Sequence, residues 1–257
     1  MNSILQEIIA QKKLEVENLK HQIFDNRREN NVHKSFKSIF CKDELLIIGE
    51  IKRKSPSKGV LREFEGPHLL IESYISGGVG GVSILTDEKF FAGTINDLHL
   101  VVEHLKNSPI PVLRKDFIID KLQIDQSNAL GANAILLIVS VLKTKTKILL
   151  DYAKKLGIEA IVEIHNEDEL NYAISIGAEI IGINNRDLNS FKEDINLCLN
   201  LISKIPGNIY TVAESAIRSI DDIKKIKAAG FNAVLIGEML MKANNPSVLI
   251  RSMREAI

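Results

Sequence analysis

Eight short apolar runs alternate with eight stretches of helical spacing, and that alternation constrains this chain's fold more than any other feature. The runs predict strands near 46–51, 82–86, 110–114, 133–138, 159–163, 179–183, 209–213 and 233–236. Helices are expected near 68–77, 96–106, 121–130, 144–156, 168–176, 195–204, 219–229 and 247–255. Ala134-Ile135-Leu136-Leu137-Ile138 is apolar throughout rather than alternating, which is how a parallel strand covered on both faces reads. Gly80-Gly81, Gly131, Gly157, Gly177 and Gly230 stand before strands, where glycine ends a helix and turns the chain back. Such regular units fold as an α/β protein, a (β/α)8 TIM barrel first and a doubly wound open sheet second. The 257 residues suit the barrel, which typically needs about 250. No Gly-x-Gly-x-x-Gly or Walker motif follows a strand, which weakens a nucleotide-binding reading.

Residues 1–44 precede the first strand and are expected to form a helical N-terminal extension to a barrel at 45–257, the whole making one domain. Asn2 or Ser3 can cap a helix with Ile4, Leu5, Ile8, Ile9, Val16 and Leu19 at helical spacing. Residues 26–33 look like an exposed connection, and Phe36, Ile39 and Phe40 are apolar enough to dock. Such a leader covers one end of the core or reaches over a site.

The formal net charge of +0 gives no broad electrostatic footprint, so neither nucleic acid nor membrane is an expected partner. Cys41 and Cys198 have no metal-type spacing and read as reduced thiols. No signal-peptide core or bilayer-length apolar run is present, which makes the cytoplasm the expected compartment.

Gly49 to Ser57, GEIKRKSPS, holds the sharpest chemical signal. Glu50 and Lys52 lie two residues apart at the end of an apolar strand and so share one face. Charges placed there are paired or used. The loop after them is cationic and hydroxyl-rich, suited to an anionic small molecule. Chemistry in a (β/α)8 barrel sits at the strand C-termini. Those ends carry Thr86 and Asp87; Arg114, Lys115, Asp116 and Phe117; Ser140; Glu163 and His165; Asn184 to Asp187; Glu214 and Ser215; Gly237 and Glu238.

Each has a bland reading. Lys115 alone reads as a surface lysine and Glu163 as a structural ion-pair partner. Asp116 and Asp187 read as loop or cap residues, and His165 carries no assigned role. Convergence favours function: Glu50, Glu163 and Glu214 meet Lys52 and Lys115 over one mouth, where acids and bases shift one another's pKa. The small residues after the seventh and eighth strands, Ser215-Ala216 and Gly237, fit a phosphate site ahead of helix N-termini. A metal site ranks low, because lysines compete with a cation and paired histidines are missing.

Together these segments resemble the indole-3-glycerol phosphate synthase family. The resemblance runs through ILQEIIAQKKLEV, GEIKRKSPSKG, SILTDEKFFAG, PVLRKDFIID, ALGANAILLIV, IVEIHNEDEL, IGINNRDL, VAESAI and VLIGEMLM, with EIKRKSPS and LRKDFI the most specific. Ala92 and Ala216 stand where glycine is looked for. The resemblance implies decarboxylating ring closure and dehydration of 1-(2-carboxyphenylamino)-1-deoxyribulose 5-phosphate. By it, Lys115 protonates the ketone during closure and Glu163 serves dehydration. Lys52 pairs with a substrate anion or donates the second proton, the order of the two lysines being left open. Glu50 holds the lysines, and Asn184 and Glu214 orient the substrate. Arg186 and Ser55 fix the anthranilate part, and Phe91, Phe117 and Leu188 line its slot. Ser215, Ala216, Gly237 and Glu238 mark the phosphate loops. No metal or organic cofactor is implied. The expected state is a monomer acting on a phosphorylated small molecule, with other tryptophan-pathway enzymes as the protein partners to look for. Other phosphate-binding barrels, phosphoribosylanthranilate isomerase and the tryptophan synthase α chain, leave the N-terminal helix and Lys115 unexplained. A barrel that only binds would be expected to lack Lys115 or Glu163.

Overall fold

A computed structural model describes residues 3–24, 34–40, 44–188 and 190–257. The connection expected at 26–33, and Asn2 and Cys41, lie outside the described residues. Ser3 caps α1 (Ile4–Leu19): its hydroxyl accepts from the Gln6 N–H while the Gln6 side chain accepts from the Ser3 N–H.

The apolar runs become β1 (Leu46–Ile51), β2 (Gly81–Leu85), β3 (Val112–Lys115), β4 (Ala134–Ile138), β5 (Glu159–Ile164), β6 (Ile180–Asn184), β7 (Tyr210–Glu214) and β8 (Ala233–Ile236). Every ladder among them is parallel, and β1 pairs with both β2 and β8, so the sheet closes into a barrel. Outside lie α2 (His68–Gly77), α3 (Ile95–His104), α4 (Lys121–Ala129), α5 (Lys145–Lys155), α6 (Glu167–Ser175), α7 (Asn196–Leu201), α8 (Ile220–Ala228) and α9 (Pro246–Glu255). The (β/α)8 reading therefore holds and the open-sheet alternative does not. Additional short pieces escaped the sequence: a ladder of Lys54–Ser55 with Gly59–Val60, and helical turns at Glu88–Phe91 and Val139–Leu142.

Two apolar layers result. One lies between sheet and helices and includes Ile47, Val82, Ile135 and Ile181. The other fills the barrel with Ile48, Leu113, Leu136, Ile161, Val212 and Leu235. Side chains alternate along a strand, so two steps on from inward Ile48, Leu113, Ile161 and Val212 come Glu50, Lys115, Glu163 and Glu214. Packing of the inner core thus aims those charges into the mouth.

The leader serves both ends of that inner core. Ile8 of α1 joins it at the mouth, while Phe36 and Phe40 join it at the opposite end. There the Ser35 hydroxyl and the Lys37 N–H donate to Glu159 at the start of β5, each at 2.7 Å, and Phe40 stacks on Tyr210 at 4.9 Å. Phe36 is fully buried. Phe36→Ala should therefore lower unfolding free energy by about 3–5 kcal/mol. Urea denaturation should show a lower midpoint with an unchanged slope, and the variant should keep its substrate KM. An unchanged midpoint would remove this segment from the core.

Candidate active site

At the strand C-termini the walls enclose a cavity of about 440 Å³. All the residues to which the resemblance gave a catalytic or substrate-binding role line it: Glu50, Lys52, Ser55, Phe91, Lys115 and Phe117; Glu163, Asn184, Arg186 and Leu188; Glu214, Ser215, Ala216, Gly237 and Glu238. Ser140 does not. The chain turns into the Val139–Leu142 helix before that hydroxyl can reach the mouth.

Lys115 stands at the centre. Its ammonium lies 3.2 Å from Glu214, 3.7 Å from Glu163 and 3.8 Å from Glu50, and Lys52 sits 2.5 Å from Glu50. These carboxylates are all but fully buried. Burial lowers the Lys115 pKa, but the negative charge of Glu214, Glu50 and Glu163 outweighs it and raises the pKa far above the ordinary lysine value. Lys115 therefore rests protonated, as an acid must.

The glutamates separate by environment. Burial raises the Glu163 carboxyl, yet Lys115 and then His165 overcome it and hold Glu163 below its usual range. Burial also raises Glu214; Lys115 opposes this, Glu163 and Glu50 add to it, and the group ends near 7. One member of the cluster is thus poised near neutrality while Glu163 stays a carboxylate.

Sequence reasoning gave His165 no role. It bridges Glu163 (Nε2 to Oε1, 3.3 Å) and Glu169 (Nδ1 to Oε2, 3.4 Å). Burial lowers its pKa, but hydrogen bonding and charge from both glutamates win and lift it from 6.5 to about 10. The sign follows: a folded-state pKa above the unfolded one stabilises fully below about 6.5, and that contribution disappears as pH rises through about 10. Wild type should exceed His165→Gln in stability by roughly 1–3 kcal/mol at pH 6. The gap should close by pH 10; a pH-independent gap would refute the charged bridge.

Close approach explains two glycines. A Cβ on Gly237 would lie 2.6 Å from Glu50 Oε1 and 2.9 Å from Lys52 Nζ. One on Gly182 would lie 2.3 Å from Glu214 Oε1. At the phosphate-type loop, Ser215 and Ala216 have φ of 63° and 58°, and Ala92 has 54°. All three sit in the left-handed region that favours glycine, which is the physical content of the glycines looked for at the alanine positions.

The loop after β1 divides its cations. Lys52 and Lys58 line the cavity. Arg53 does not; it grips Asp97 and the Phe64 carbonyl, while Lys54 donates to the Lys89 carbonyl. The loop is cationic partly to anchor itself. Ser55 Oγ is buried in the cavity wall with no hydrogen-bond partner among the described residues. Arg186 spans the loops, donating to Ser57 Oγ at 2.6 Å and pairing with Glu193. Leu5 and Ile8 of α1 also line the cavity, as do Phe191 and Arg218 from the loops after β6 and β7; the leader was expected to cover the core or reach over a site, but spacing along the chain does not show which of its side chains meet those loops.

Asp187 is a loop residue as expected, accepting from the Ser190 N–H and hydroxyl. Asp116 is more than that. It accepts from the Phe117 N–H and the Thr86 hydroxyl, and pairs with Arg114 at 3.0 Å and Lys12 at 2.9 Å.

The arrangement offers a protonated amine, a facing carboxylate, and aromatic side chains at one flank. Phe91 and Phe117 have ring centroids 6.2 Å apart and tilted by 37°. On the opposite flank lie the Ser215-Ala216 and Gly237 loops.

A family model described as "Indole-3-glycerol phosphate synthase" matches residues 5–253. A relative of that name from Thermoanaerobacter pseudethanolicus is 42% identical over 243 residues, covering 93% of this chain and 92% of the relative. Another from Bacteroides thetaiotaomicron is 37% identical over 263 residues and covers both chains fully. Among solved structures, a 3-hexulose-6-phosphate synthase superposes with a TM-score of 0.65 at 15% identity, over 83% of this chain and 100% of its own. A thiamine phosphate pyrophosphorylase from Pyrococcus furiosus gives 0.63 at 11%, over 84% and 96%. At such identities the structures share the fold alone.

Proposed function

This chain belongs to the indole-3-glycerol phosphate synthase family, and we propose how its barrel mouth carries out that family's reaction. It is a decarboxylating lyase of tryptophan biosynthesis. The substrate is 1-(2-carboxyphenylamino)-1-deoxyribulose 5-phosphate, and the products are indole-3-glycerol phosphate, CO2 and water.

The observation that carries the residue assignment is the Lys115 ammonium held among Glu214, Glu163 and Glu50, between an aromatic slot and a small-residue loop pair. The anthranilate ring lies between Phe91, Phe117 and Leu188. The phosphate reaches the backbone at Ser215, Ala216 and Gly237, with Lys52 beside Gly237 as the nearest ammonium. The ketone carbon then falls over Lys115.

In the first step the ring carbon bearing the carboxylate attacks the ketone carbon. Lys115 gives its proton to the ketone oxygen, which becomes a hydroxyl. The C–CO2 bond breaks and its electron pair returns to the ring, so the cationic intermediate is neutralised as CO2 departs. Glu50 and Glu214 stabilise that intermediate and hold Lys115. In the second step Glu163 takes a proton from the methylene carbon beside the ring nitrogen. A lysine, which we assign as Lys52, protonates the departing hydroxyl, water leaves, and the indole forms. Asn184 and Arg186 orient the polar chain, and Ser55 supplies a free hydroxyl to the substrate.

Action as a monomer in the cytoplasm belongs to the same proposal, and the described cavity walls include residues of α1, of the barrel strands and of the loops after β1 to β3 and β6 to β8. Among the described residues no helix is long and apolar enough to cross a membrane. The test is turnover by the purified protein in EDTA, followed by indole fluorescence. Rising signal is expected; binding without turnover would replace the enzyme reading with a binding one.

A further inference from the structure

Lys12 lies on the buried stripe of α1 formed by Ile8, Lys12, Val16 and Leu19, and is only 1% exposed. An ammonium in such a stripe is costly unless paired. It has three carboxylate partners: Asp87 Oδ2 and Asp116 Oδ1, each an ion pair at 2.9 Å, and Glu15 Oε2, to which it also donates a hydrogen bond at 2.8 Å.

What those partners hold matters more than the pairing itself. Asp87 follows β2 and caps the Glu88–Phe91 turn, accepting from the Phe90 and Phe91 N–H groups. Asp116 directly follows Lys115 and accepts from the Phe117 N–H. Lys12 itself rides on the helix that brings Leu5 and Ile8 to the cavity. One cation outside the cavity wall therefore joins the segments carrying Leu5, Ile8, Phe91, Lys115 and Phe117.

We propose that Lys12 is a positioning residue for the reaction: its ammonium locks α1 onto the ends of β2 and β3 and so fixes the slot that holds the anthranilate ring over Lys115. This rests on the functional reading given above. The lock touches only one flank of the mouth. The loops after β7 and β8 have no part in it, so the phosphate end should be indifferent to its loss.

The experiment compares wild type, Lys12→Met and the double variant Lys12→Met/Asp87→Asn. The double variant avoids stranding a buried Asp87 charge, and Asn keeps an oxygen for the cap. Well below the melting temperature, kcat/KM should fall about 100-fold in both, with KM rising, since a displacement of about 1 Å in bound geometry has that effect. Competitive inhibition by inorganic phosphate should keep its wild-type constant. A folded variant, single or double, with wild-type KM would overturn the proposal. So would a parallel weakening of phosphate inhibition, which would show general loosening of the mouth. Wild-type protein without turnover would overturn the functional reading and this proposal with it; wild-type turnover with unaltered variants overturns this proposal alone.

Discussion

Lys115→Met should lose about 10²–10⁴-fold in kcat, the share general acid catalysis supplies, while substrate still binds. The ammonium is the nearest cation to Glu214 and also neighbours Glu163 and Glu50, which keep it protonated in the resting enzyme. The alkoxide developing on the ketone oxygen is basic enough to take that proton as the C–C bond forms. Met matches the side chain's length without a proton. Removing the charge leaves Glu50 with Lys52 and Glu163 with His165, while Glu214 loses its cation and answers by taking up a proton. Lys115→Arg separates charge from proton donation, because guanidinium stays protonated in proteins. It should be nearly as impaired as Met. Near-normal turnover of Lys115→Met, measured by stopped-flow indole fluorescence at saturating substrate, would remove Lys115 from the acid role.

Glu163→Gln should cost about 10²–10⁴-fold in indole formation, again the range of one acid–base group. The amide keeps the shape and removes the base. Glu163 suits that role because Lys115 and His165 hold it ionised against its burial. Ring closure should survive in this variant, since the acid at Lys115 is intact and loses only one of its carboxylate neighbours. The first turnover should then release CO2 and stall at the hydroxylated, unaromatised ring. An unchanged rate of indole formation would move the base elsewhere, with Glu214 the next candidate given its pKa near 7.

Why the barrel was legible and parts of the mouth were not has a physical basis. Strands packed on both faces are written as apolar runs, and β4 needed nothing more to be found. The Lys54–Ser55 and Gly59–Val60 ladder and the Glu88–Phe91 turn are shorter than any period that reveals an element. Glu50 and Lys52 were found from their two-residue spacing on a strand end. Glu163 and His165 have the same spacing, and that reasoning would have paired them too. Lys12 also left a signal, as a lone cation four residues from Ile8 and from Val16 on the apolar stripe. Its partners Asp87 and Asp116 come from distant strand ends, which only the closed barrel brings beneath α1.

The division of labour between Lys115 and Glu163 is open to one direct measurement. Glu163→Gln is mixed with substrate in a single turnover, quenched at intervals, and assayed for CO2 and indole-3-glycerol phosphate in the same samples. CO2 appearing well ahead of indole is the predicted result. CO2 and indole slowed together by the same factor would contradict it and place Glu163 in the ring-closing step.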